Sequence, residues 1–293
     1  MRPTTTNLAI FLVLGALWIQ FFAALVPSWQ DGTYYAYGWY VPPLAMWFFL
    51  RRWMDEKPAA GVGFGWLDLA GLGGFVILLL AVRVLGQVDP LWRLPMWVHA
   101  MLVAGTTLWW LRAAAGTRFA IGIWPVMLFA LTAVPYPTAI ELGLVHGLTN
   151  TVVGTTVELF NLAGKPVVAV GERLSLGGEV VEVTEGCSGI RSFQSFLMAS
   201  IFFGELFRLK WPGRIALVGV GLVLAVAINA GRALTLSAKG FSDGVEAAAA
   251  IHDAVGLAAF ALSAIMFFFV AIGLEKLEKT RKLVSRRMVK PGN

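Results

Sequence analysis

The sequence predicts an all-α polytopic membrane protein of about eight transmembrane helices, with a small extracytoplasmic cap between spans five and six. Three observations predict it. The 293-residue chain is 58% hydrophobic and only 14% charged, with a mean hydropathy of +0.75, whereas a soluble domain carries roughly 25% charged residues. Apolar runs approaching the ~20 residues that cross a bilayer recur along the chain. Between residues 138 and 185 that pattern breaks and polar residues accumulate. Little mass is left outside the membrane, so a single membrane domain over 1–293 is expected, with the cap at about 135–186 and a basic cytoplasmic tail at about 275–293. The net charge of +6 and pI near 9.7 do not point to nucleic acid, because the basic residues sit beside apolar runs and read as topology signals. One cysteine excludes an internal disulfide and a multi-cysteine metal site.

The first apolar run, Leu8 to Val26, follows a short flank containing Arg2. No small-residue cleavage site follows it, so it is read as a retained span rather than a signal peptide. The aromatic stretch from Tyr34 to Tyr40 leads through Pro42 and Pro43 into a second span ending at Arg51 and Arg52, with aromatics at one interface and arginines at the other. Spans three and four are predicted from about Leu67 to Gly86 and Leu94 to Leu111. The fifth runs from Phe119 to Val134 and stops at Pro135-Tyr136-Pro137.

Within the break, Leu144, Val145, Leu148, Val152 and Leu159 form a helical stripe opposed by Glu141, Asn150, Thr156 and Glu158, which predicts an amphipathic interfacial helix. From Pro166 to Val183, β-branched runs punctuated by Gly171 and Gly177-Gly178 predict two or three short strands. Spans six to eight follow, from Cys187 to Phe207, Ile215 to Leu236 and His252 to Leu274. With both termini in the cytoplasm, sixteen of the 23 Lys and Arg fall inside and seven at the outer face or in the membrane, as the positive-inside rule requires.

In that topology Cys187, Arg232 and His252 come from three helices to one depth at the outer face. His99 and His146 lie on the same side, so depth alone does not choose the histidine. A cysteine in a membrane helix is ordinarily a small buried hydrophobe. Here it stands at an expected helix N-terminus, where the dipole and open N–H groups favour a thiolate, with Arg191 four residues on. Arg232 follows an apolar run with Asn229 on the same helical face, and a charged residue within a span ordinarily faces a polar cavity. His252 lies four residues before Gly256, a small residue that admits a neighbouring helix. Asp253 is adjacent to it, but a step of about 100° round a helix argues against its orienting the imidazole.

Val181-Glu182-Val183-Thr184-Glu185-Gly186-Cys187-Ser188-Gly189-Ile190-Arg191 resembles the strand, Cys-Ser-Gly and Arg pattern of the exosortase and archaeosortase family of membrane cysteine transpeptidases. Asn229-Ala230-Gly231-Arg232 is similar to the family's Asn-x-x-Arg, and His252-Asp253-Ala254-Val255-Gly256 to its His-x-x-x-Gly. Upstream, Tyr37 to Pro42 and Val134 to Pro137 resemble its aromatic-Gly-x-x-x-Pro and Pro-x-Pro elements. Gly186 and Ala230 depart from the commoner residues at their places, and the additional C-terminal domain of some members has no counterpart after span eight.

The resemblance implies a catalytic set of Cys187 as nucleophile, Arg232 on the oxyanion and His252 as acid. Arg191, Asn229, Ser188 and Gly189 would support it or bind substrate, with no metal and no cofactor. It further implies substrates that are exported proteins whose C-terminal signal combines a PEP-CTERM-like motif, one span and a basic end. The setting would be the lipid bilayer of the bacterial inner membrane, in exopolysaccharide-associated protein sorting. Arg173, Arg191 or Lys165 would then meet the motif's glutamate. Two other readings compete: a membrane protease that only hydrolyses, and a transporter with a polar path through Arg191, Arg232 and His252.

Overall fold

The computed structural model describes residues 5–30, 34–56, 61, 63, 65–171, 173–176, 179–182 and 189–289. The chain divides into two compact units, Met1–Thr138 and Ala139–Asn293. Four helices are long and apolar enough to cross a membrane among the described residues, within Phe11–Gln30, Arg93–Ala115, Trp211–Asp243 and Val245–Arg281, and Gly73–Val88 is a shorter apolar stretch.

The first unit comprises α1 (Thr5–Gln30), a 3-10 turn (Ala36–Tyr40), α2 (Val41–Glu56), α3 (Trp66–Val88), α4 (Arg93–Ala115), α5 (Thr117–Gly122) and α6 (Trp124–Leu131). Small residues at Ala100 and Ala104 bury α4 at its centre. The Trp18 indole of α1 donates to Thr107 Oγ1 at 3.0 Å, and that hydroxyl donates to Val103 O at 2.7 Å, so a polar pair is satisfied inside an apolar interface. The predicted fifth span is not one helix. Pro125 opens α6 and lacks the N–H that would continue α5, and the run turns at Ile123.

Beyond α6 the chain leaves helix, and the carbonyls it exposes are taken by side-chain donors. Trp29 Nε1 donates to Ala133 O at 2.9 Å, Tyr37 Oη to Thr132 O at 3.1 Å, Trp97 Nε1 to Pro135 O at 2.8 Å and Arg93 Nη1 to Tyr136 O at 3.1 Å. The aromatic stretch before span two and the Pro-x-Pro stretch after span five, far apart in sequence, are thus one structure. Gly38 is required there because the Trp29 indole lies where a Cβ would be.

The second unit holds α7 (Thr138–Leu162), β1 (Val168–Val170), β2 (Arg173–Leu176), β3 (Glu179–Glu182), α8 (Ile190–Leu206), α9 (Trp211–Asp243) and α10 (Val245–Val289). The strands form an antiparallel sheet in the order β1-β2-β3, with Ala169 opposite Leu174 and Leu174 opposite Val181. Leu174, Val167, Phe160, Val153 and Leu236 make one buried cluster that joins the sheet to α7 and α9. The buried face of α7 differs from the predicted stripe. Glu141 and Thr156, expected on the polar side, are buried, while Leu159 is exposed. Thr156 tolerates this because its hydroxyl donates to Val152 O at 2.7 Å.

Helices α8, α9 and α10 pack as a three-helix group around Phe196, Leu217, Ala225, Phe267 and Ala271. Gly221 admits Phe196 Cβ and Ser200 Oγ of α8, 3.1 and 3.2 Å from where its own Cβ would stand. The α8–α9 turn is pinned by the Arg214–Glu205 pair at 2.9 Å, in which Glu205 is buried and Arg214 partly buried. Helix α8 runs from Ile190, after Gly189 in the left-handed conformation (φ 84°); the expected start of span six at Cys187 lies outside the described residues. Helices α9 and α10 continue past the expected span ends and meet at Gly244 (φ 88°). At 1.5 Å per residue the 33 residues of α9 reach about 50 Å, well beyond a hydrocarbon core of about 30 Å.

Candidate active site

Arg232 and Asn229 lie one turn apart on α9, so they share a face. His252 sits two turns into α10, not at its first turn as expected. The α9–α10 hairpin folds them together. Arg232 Nη2 is 2.8 Å from His252 Nε2, and both side chains are half-buried. A guanidinium only donates, so Nε2 is the acceptor and the imidazole hydrogen belongs on Nδ1. That nitrogen lies 3.1 Å from Asp253 Oδ1, to which it donates.

The Asp253 contact reverses the expectation that a neighbour about 100° round the helix would not reach the ring. Rotation about the imidazole's own side-chain bonds brings Nδ1 across. Asp253 is fully exposed, so the contact selects a tautomer and adds little stability.

Gly256 has a more specific role than admitting a helix. The Arg232 guanidinium lies across it, 3.5 Å from where a Cβ would stand, so α10 offers a flat place for the charged group one turn from His252. Asn229 is buried and donates Nδ2 to Ala225 O at 2.7 Å, and the backbone of Gly189 rests on its amide. A Cβ at Gly189 would stand 2.5 Å from Asn229 Nδ2. Glycine is therefore needed there twice, for the positive φ and for the contact.

Of the predicted site residues, Gly189 just before α8, Asn229 and Arg232 on α9, and His252 on α10 are brought together. Arg191 is exposed on the first turn of α8. Cys187 and Ser188 lie outside the described residues, as does Glu185, so the pairing of Cys187 with Arg191 on one helical face lies outside them too. His146 is exposed on α7, and His99 belongs to the first unit, edge-on to Phe21 with ring centroids 5.1 Å apart.

Sequence reasoning missed Gln194. It is buried in α8 one turn beyond Ile190, and neither amide atom has a hydrogen-bond partner among the described residues. Its signal was an uncharged polar side chain inside an otherwise apolar run, which charge counting passes over.

The family model described as Transmembrane exosortase (Exosortase_EpsH) matches residues 29–269, through both units and over every site residue named above. No curated protein and no solved structure matches the chain. By that match, the chain belongs to the transmembrane exosortase family of membrane-embedded protein-sorting transpeptidases.

Proposed function

We propose that Cys187, Arg232 and His252 are the catalytic set of a cysteine transpeptidase that cleaves the C-terminal sorting signal of exported proteins. The observation that carries this reading is the 2.8 Å contact between Arg232 and His252 from two helices, with Gly189 seated on Asn229 one turn away. Cys187 stands two residues before Gly189 in the sequence.

In the first half-reaction Cys187 gives its proton to His252 Nε2, and Sγ adds to the scissile carbonyl carbon. The Nη2 hydrogen that now meets Nε2 turns to the oxyanion, so the Arg232–His252 contact is a resting arrangement that substrate opens. The C–N bond then breaks as the imidazolium returns the proton to the leaving amine, and a thioester remains on Cys187. An acceptor amine or hydroxyl attacks the thioester, the C–S bond breaks, and the acceptor's proton passes through His252 back to sulfur. Asn229 positions the Cys-Ser-Gly segment through Gly189. Ser188 supports the same segment.

We read α1, α2, α3, α4, the α5–α6 pair, α8, α9 and α10 as eight crossings of a bacterial inner membrane, with both termini cytoplasmic. Helix α7 and the sheet are then the extracytoplasmic cap. The 16 residues of α2 and 17 of α8 reach about 24 and 26 Å, near the hydrocarbon thickness of about 30 Å. A family match running through both units supports one functional membrane domain. Arg191, Arg173 and Lys165 are all exposed in the same unit as the pair and are the candidates to hold the acidic residue of a PEP-CTERM-like motif.

The test is a cell carrying Cys187→Ala together with an exported reporter bearing a motif, one span and a basic tail. Loss of processing is expected, and retained processing would falsify the assignment. Mass spectrometry of the new reporter C-terminus from wild-type cells separates transfer, which leaves an added group, from hydrolysis, which leaves a free carboxylate throughout.

A further inference from the structure

The first unit contains a cavity with several polar groups in its wall that the transpeptidase chemistry does not use. It has a volume of about 330 Å³ and lies where the ends of α1 and α3 meet the start of α4, beside the turn at Asp89–Trp92. Its polar lining is Gln20 of α1, Arg83 and Gln87 of α3, Asp89 of the turn and His99 of α4; the rest is mostly apolar, including Val82 and Met96.

Two of these groups call for a ligand. His99 is buried, 4% exposed, and its Nε2 has no hydrogen-bond partner among the described residues. Its ring packs against Phe21 in a T-shaped contact, and His99 is among the residues that line the cavity. Arg83 interrupts the apolar run from Phe75 to Val88, is half-buried, and has no carboxylate within ion-pair distance among the described residues. An arginine in an apolar helix ordinarily faces a cavity and an opposite charge. Asp89 does not supply that charge, because its Oδ1 accepts the Leu91 N–H at 2.9 Å and its carboxylate stands exposed at the turn.

We propose that this cavity binds a phosphate group, and that its source is the phosphodiester of a phospholipid headgroup. Arg83 supplies charge-assisted donors and His99 a buried Nε2–H, while Gln20 and Gln87 offer amide donors nearer the rim. The position between helix ends and an interhelical turn is where headgroups stand, and the apolar wall suits the first carbons of an acyl chain. The Asp89 carboxylate at the rim disfavours a second negative charge, which selects a monoanionic phosphodiester over a terminal phosphate.

The test uses the full chain purified in detergent, with lipid retention read by native mass spectrometry. Wild type, Arg83→Met and His99→Phe are each offered phosphatidylethanolamine, phosphatidylglycerol, diacylglycerol or inorganic phosphate. Wild type should retain one phosphodiester lipid and no diacylglycerol. Arg83→Met should weaken that retention about tenfold, the factor for about 1.4 kcal/mol. His99→Phe keeps the ring packing and should weaken it less, while Arg83→Lys should restore part of it. Equal retention by wild type and Arg83→Met, retention of diacylglycerol as strong as that of phospholipid, or no retained lipid at all would overturn the proposal. Displacement of lipid by millimolar inorganic phosphate would assign the cavity to free phosphate and overturn the lipid source.

Discussion

The Trp29 indole and the Arg232 guanidinium are both polar groups set among apolar helices, yet they end on different kinds of partner. In the first unit Trp29, Tyr37, Trp97 and Arg93 all donate to backbone carbonyls between Thr132 and Tyr136. Those carbonyls belong to chain that has just left a helix, where the backbone no longer supplies the regular helical donors, so the bonds tie side chains to the course of the segment itself. In the second unit Arg232 donates to the ring nitrogen of His252, a side chain on another helix. In the mechanism proposed above, either partner exchanges the other for substrate without moving backbone, so that bonds of the first kind would make a scaffold and bonds of the second kind a site.

The largest effect should come from breaking the exchangeable pair. Arg232→Lys keeps the charge but loses the planar fork, so it cannot serve a ring nitrogen and a developing oxyanion from adjacent donors. Processing of a tailed reporter should fall about 10²–10³-fold. Unfolding followed by tryptophan fluorescence in detergent should shift by no more than about 1 kcal/mol, the range for a half-buried pair. Full activity would remove Arg232 from the chemistry, and gross unfolding would place it with the scaffold.

Trp29→Phe probes the opposite case. The indole is buried, and its loss leaves the Ala133 carbonyl without its donor and a gap over Gly38. Stability should drop by about 1–3 kcal/mol, while the processing rate of the remaining folded enzyme stays near wild type. A large rate loss at unchanged stability would show that the aromatic junction acts on the reaction.

How much of this was legible in the sequence follows the same division. Arg232 and His252 could be brought to one depth because apolar runs count out helices and their ends, and the family motifs then chose His252 over His99 and His146. Helix lengths were not legible in that way. Span ends were set by bilayer thickness, whereas α9 continues through Ser237, Lys239 and Ser242 until Gly244 allows the reversal. The break at Pro125 was visible as a proline but masked by the hydrophobicity around it. The burial of Thr156 was hidden because threonine counts as polar although its hydroxyl can be satisfied by its own helix. The step round the helix turns the Asp253 Cα–Cβ bond away from His252, yet rotation of the histidine ring decides the contact.

That last contact gives the smallest prediction. Asp253 is adjacent to His252, accepts from Nδ1 at 3.1 Å and is fully exposed. In a buried triad the equivalent carboxylate fixes the tautomer and its amide variant is crippled by several orders of magnitude. Here water can replace the carboxylate as acceptor, and Arg232 already dictates the tautomer by needing an acceptor at Nε2. Asp253→Asn should therefore slow processing by no more than about fivefold, as for an exposed pair. Single-turnover cleavage of a tailed reporter in detergent would resolve such a factor, with Asp253→Ala giving the same small loss. A hundredfold loss in both variants, with Arg232 intact, would mean that the carboxylate is shielded when substrate is bound and that the resting pair is not what holds the imidazole in place.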